Sequence, residues 1–110
     1  MFGESHFIAS LQYKTTEEGG RKTAVGSRYR PHIKFSFDEY MTSGMQLFIG
    51  KEFVFPGESV SATISILSFE YFEGKLYDGL EFDFYEGPHI IGTGKITEII
   101  NQKLNRNFQK

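Results

Sequence analysis

The chain is predicted to be all-β, a small antiparallel Greek-key barrel of about six short strands. Three observations carry this expectation. Apolar residues recur at every second position over much of the 110 residues. Glycine, proline and Asp-Gly signals cut these runs at short intervals. The twelve Phe and six Tyr, with Trp and Cys absent, favour strands and supply an aromatic core.

Phe7, Ala9, Leu11 and Tyr13 alternate with Ile8, Ser10, Gln12 and Lys14 in a first strand. Ile33, Phe35 and Phe37 alternate with His32, Lys34 and Ser36 in a second. The clearest case places Val60, Ala62, Ile64 and Ile66 on the core face and Ser59, Ser61, Thr63 and Ser65 on the wet one. Leu80, Phe82 and Phe84 are predicted to face inward from a later strand. Turns are expected at Glu18-Gly19-Gly20, Ser43-Gly44, Pro56-Gly57, Asp78-Gly79 and Gly87-Pro88. Gly92 and Gly94 lie inside the last strand pattern, where a bulge or tight barrel bend is expected. One domain over 1–110 follows, with the barrel over about 5–100 and a polar, flexible tail over 101–110.

Zero cysteines exclude a disulfide framework, a thiolate metal site and a Cys nucleophile, and fit a reducing cytoplasm. The N-terminal residues lack the pattern of a signal peptide, and no apolar run is long enough for a membrane helix. Net charge is −2, but its distribution is uneven. Lys14, Arg21, Lys22, Arg28, Arg30 and Lys34 face only Glu17 and Glu18 in their segment, whereas residues 36–100 carry eleven acids against three lysines.

Catalytic signatures are absent. His6, His32 and His89 share no ligand spacing and read as surface or strand-end residues, so neither metal nor cofactor is expected. Gly94-Lys95-Ile96 and Gly19-Gly20-Arg21-Lys22-Thr23 both lack the first glycine of a phosphate loop. The chain is therefore expected not to be an enzyme.

Several motifs, taken in order, resemble the third, C-terminal barrel domain of elongation factor Tu. Glu17 to Thr23 is similar to the family's E-E-G-G-R-H-T, and Tyr29-Arg30-Pro31 to its G-Y-R-P. Val54 to Glu58 is similar to V-M-P-G-D. Gly79 to Phe82 and Glu86 to Gly94 track G-L-R-F and E-G-G-R-T-V-G-A-G. The resemblance spans about Phe7 to Ile100 and implies a divergent barrel standing without its GTPase. It also implies a non-catalytic, translation-related binding module. In the family this domain grips the aminoacyl-tRNA stem and packs on the GTPase domain. Carried over, Arg21, Lys22, Glu86 and Gly87 become RNA-binding candidates, with Arg28 and Arg30 adding charge nearby. Two family cations are missing, because Ser68 and Tyr85 stand at their positions.

A protein partner is accordingly preferred to RNA, with weak tRNA binding through residues 21–34 as the alternative. A domain separated from its neighbours should expose apolar residues where they packed. Met41, Met45, Phe48 and Phe53 are candidates for that interface, together with Phe69, Tyr71 and Phe72 from an inserted segment.

Overall fold

The computed structural model describes residues 4–108, and the alternation seen in the sequence becomes a closed, antiparallel six-stranded barrel. Its strands are β1 (Phe7–Tyr13), β3 (His32–Phe35), β4 (Met41–Phe48), β6 (Ser59–Ile66), β7 (Glu81–Glu86) and β8 (His89–Ile99). The order around the barrel is β1-β6-β4-β3-β7-β8, and β8 pairs back on β1. A short ribbon of β2 (Val25–Gly26) and β5 (Phe53–Val54) stands beside it. Helical structure among the described residues is limited to 3₁₀ turns at Phe69–Phe72 and Gln102–Leu104.

The predicted register holds. Val60, Ala62, Ile64, Ile66, Leu80, Phe82 and Phe84 are all buried, as are Phe7, Ala9, Leu11 and Tyr13. Ser61 is exposed and Thr63 half-buried on the opposite face. Ser65 is also buried, but from outside the barrel, where its Oγ donates to the Glu4 carbonyl at 2.5 Å. Gly92 and Gly94 answer to aromatic rings. Phe84 pairs with Gly92 and Phe82 with Gly94, and a Cβ at either glycine would overlap the facing ring. The bulges fall elsewhere on β8, at the register shifts that skip Ile91 and Thr97.

Four expectations need correction. Ser43-Gly44 is no turn but the middle of β4, because a Cβ on Gly44 would collide with Ile33 and only glycine fits there. Phe37, expected on the core face of the second strand, lies beyond the end of β3 and is 45% exposed. His6 is buried rather than superficial: its Nδ1 accepts the Ile66 N–H at 2.9 Å and its ring stacks on Phe69. The expected loose tail is docked over its described part. Leu104 is fully buried, and the Leu76 and Arg106 N–H groups donate to the Leu104 and Leu76 carbonyls at 2.8 Å. The tail's last residues, Gln109 and Lys110, lie outside the described residues.

The barrel therefore has two unlike ends. One carries the 35–41 turn, the segment between β6 and β7, and the docked C-terminal segment. The other carries the loop after β1, the β2–β5 ribbon and the β7–β8 turn.

Candidate binding surfaces

The basic loop after β1 folds onto the second end of the barrel. Thr15 starts it, with its N–H donating to Glu18 Oε1 at 2.9 Å and its carbonyl accepting the Gly20 N–H. This turn brings Arg21 against Glu86, at the end of β7. Glu86 Oε2 receives the Arg21 guanidinium and, at 2.7 Å, the Tyr29 hydroxyl. Arg21 is held further by Thr23 Oγ1 at 3.1 Å and lies 5.4 Å from the Tyr29 ring centroid. Burial, and then the bond to Glu86, push the Tyr29 hydroxyl far above its usual 10, so it stays protonated and donates. Beneath it, Tyr13 donates to Gln46 Oε1 within the barrel, and burial raises its hydroxyl as well.

Arg21, Glu86 and Tyr29 thus come together, but as a closed ion pair rather than an open phosphate grip. Gly87 turns the β7–β8 hairpin with φ +59°. Lys22 and Arg28 are exposed. Arg30 is exposed too and also engages neighbours within the chain.

Arg28 is unusual in its backbone. It is the non-glycine residue with positive φ among the described residues, at +82°. Its N–H donates to the Gln46 carbonyl at 2.7 Å, while the Gln46 N–H donates to the Tyr29 carbonyl at 2.9 Å. Two residues therefore face one, which is a bulge whose first position ordinarily takes glycine. The Tyr29 N–H also reaches the Gly26 carbonyl at 3.3 Å, closing a turn with Arg28 in its third position.

The neighbouring strand, β4, has its polarity inverted. Thr42, Gly44 and Gln46 point into the barrel, and Met41, Ser43, Met45 and Leu47 point out of it, Met41 exposed and the other three half-buried. Ile49, just beyond, is half-exposed and continues the pairing through its N–H to the Ser61 carbonyl at 2.8 Å. The outer faces of β6 and β8 carry Ser59, Ser61, Thr63, Thr93, Lys95 and Thr97 instead. Met and Leu side chains left partly exposed on an outer face are what a docking face leaves when its partner is away.

The interface candidates divide accordingly. Met41 and Met45 lie on this outer row. Phe53 is 59% exposed on β5, and Phe55, which sequence reasoning passed over, is 56% exposed beside it. Tyr71 is exposed at the opposite end, donating to Asp38 Oδ2 at 2.8 Å, and Phe69 is half-buried against His6. Phe48 and Phe72 do not qualify. They are core residues, packed on Tyr13 and on Phe35 at ring-centroid distances of 6.4 and 5.0 Å. Leu47 and Ile49 were missed because alternation alone assigns apolar residues inward.

Among the described residues no group of three or more His, Asp or Glu is placed to hold a metal, and no helix is long and apolar enough to cross a membrane. No family model matches the chain.

Proposed function

We propose that the chain is a non-catalytic, cytoplasmic binding module, akin to the third domain of elongation factor Tu, that docks on a protein of the translation apparatus. The observation that carries this reading is the outward apolar row of Met41, Met45 and Leu47 on β4 and Ile49 just beyond it. It continues through the turn at Gly50 into a ribbon that exposes Phe53 and Phe55. The ordered motifs from Glu17 to Gly94 support the family part of the reading. The barrel's largely apolar interior and the polar outer faces of β6 and β8, the reverse of a membrane barrel's arrangement, support an aqueous setting.

A weak tRNA-binding role is the second reading, favoured by exposed Lys22 and Arg28. The Arg21–Glu86 pair counts against it, since a neutralised arginine releases no counterion from RNA.

The test is recovery of partners on tagged protein from lysate, with and without ribonuclease. A protein partner that survives ribonuclease and is lost from Met45→Ser/Leu47→Ser supports docking through β4. Recovery of RNA alone, or of proteins only while RNA is intact, would overturn it.

A further inference from the structure

The apolar row on β4 has a basic row beside it. β3 pairs with β4 so that His32 faces Ser43 and Lys34 faces Met41. The pairing then runs past the start of β3. The Gly44 N–H donates to the Pro31 carbonyl at 2.9 Å, and Tyr29 bridges Gln46. That continuous register sets Arg30 alongside Met45 on the outer surface, with exposed Arg28 following at the bulge opposite Gln46. Lys34, His32 and Arg30 therefore flank Met41, Ser43 and Met45 along one side of the barrel, Arg28 is exposed at the end of the basic row, and Leu47 and Ile49 continue the apolar one.

We propose that this double row is the recognition surface for an amphipathic helix of a protein partner, one that presents carboxylates beside apolar side chains. The inference rests on the docking reading above and names the partner's chemistry. Three observations carry it. Charge is the first: the chain's net-basic segment is laid beside its outward apolar strand, while the far flank of the apolar row is the uncharged Ser61, Thr63 and Ser65 of β6. Spacing is the second. Alternate residues on a strand recur about every 6.6 Å, and residues four apart on a helix recur about every 6 Å, so successive carboxylates can meet successive cations. The third is the backbone at Arg28. A side chain held at φ +82°, where glycine would avoid the steric cost, indicates that the arginine itself is used.

Lys34 contributes least. Glu39 lies 3.8 Å from its ammonium, and Asp83 pairs beside it on β7. Arg28 and Arg30 are exposed further along the row, Arg30 with interactions of its own within the chain.

The test titrates the full chain with a synthetic helix-forming peptide of on the order of 18 residues, carrying one row of Leu and one of Glu. The control peptide replaces every Glu by Lys. The Glu peptide is expected to shift the amide resonances of residues 28–34 and 41–49, and the Lys peptide is not. Arg28→Glu/Arg30→Glu should weaken the Glu peptide at least tenfold and admit the Lys peptide. If that variant loses its dispersed spectrum, Arg28→Gln/Arg30→Gln takes its place, with at least a threefold loss expected.

Equal binding of both peptides, or none of the Glu peptide at millimolar concentration, overturns the proposal. So does a tRNA that binds these residues more tightly than the Glu peptide. Met45→Ser/Leu47→Ser separates the two readings. If it weakens the peptide while charge reversal does not, the docking face stands and the acidic partner falls. If it has no effect, the docking face itself is wrong.

Discussion

The guanidinium of Arg21 is paired with the carboxylate of Glu86, and the Tyr29 hydroxyl reaches the same carboxylate oxygen at 2.7 Å. The cation that would most directly contact a nucleic-acid backbone is therefore already neutralised. Glu86→Gln should release it. The expected outcome is tighter tRNA binding at low salt, with the log–log salt slope steeper by about one. Stability should change by less than about 1 kcal/mol, because Glu86 is half-exposed and the pair is solvent-screened. Filter binding at a series of salt concentrations checks this, and an unchanged slope would remove Arg21 from any RNA site.

His6 makes stability depend on pH. Its Nδ1 accepts the Ile66 N–H, which requires the neutral ring, and its carbonyl accepts the Ile100 and Asn101 N–H groups at 3.0 Å. Burial lowers its pKa below the usual 6.5, against the opposing pull of Glu4 and Glu70. A folded pKa below the unfolded one gives stability that is fully present above about 6.5 and is lost as pH falls through the folded value. Urea midpoints should therefore drop on acidification below pH 6.5. His6→Asn, whose Oδ1 can accept from Ile66 without titrating, should flatten that dependence. An equally steep profile in the variant would contradict the assignment.

How far the sequence can be read depends on which side chains obey alternation. β1, β6 and β7 were legible because their apolar and polar residues separate cleanly, as at Ser59–Ile66. β4 was not. It places Thr42 and Gln46 inside, where Tyr13 satisfies the Gln46 carbonyl oxygen, and its Gly44 imitates a turn while making room for Ile33. The same inversion hid Leu47 and Ile49 from the list of surface candidates. The charge of the loop was legible, but its neutralisation was not, since Arg21 and Glu86 meet only once the barrel closes. The docked tail escaped notice because a single residue, Leu104, anchors an otherwise polar segment.

Gly94 and Gly92 should tolerate no side chain. The Phe82 and Phe84 rings occupy the space where a Cβ would stand, and both rings are buried. Gly94→Val should destabilise the fold by about 2–3 kcal/mol through overpacking, whereas Thr93→Ala on the wet face should change stability by less than about 0.5 kcal/mol. Chemical denaturation of the pair decides it. Equal effects would mean that the rings do not lie over these glycines.

Leu104 should behave as a core residue despite its place in a polar tail. Leu104→Ala removes a fully buried side chain next to the bonds that join Leu76 to Leu104 and Arg106, and should cost about 3 kcal/mol. Amide exchange would then rise at Leu76 and Arg106 before it rises in β6. A cost below about 0.5 kcal/mol would restore the expectation of a loose tail.

Arg28 offers the sharpest separation of structure from use. Its left-handed backbone costs about 1–2 kcal/mol for a residue with a Cβ. A glycine at this position would escape that cost while adding about 0.5–1 kcal/mol of unfolded-state entropy. Arg28→Gly should therefore stabilise the fold by up to about 1 kcal/mol. Arg28→Ala keeps the Cβ and the strain, so its stability should match the parent within about 0.5 kcal/mol. Both variants remove the same charge from the end of the basic row, and both should weaken the acidic peptide by a similar factor. Stability and binding thus move apart in the glycine variant, and binding alone moves in the alanine variant. Should the glycine variant be less stable than the alanine one by about 0.5–1 kcal/mol, the full entropy cost of glycine, the positive φ at Arg28 carries no strain, and its backbone would cease to argue for a functional arginine.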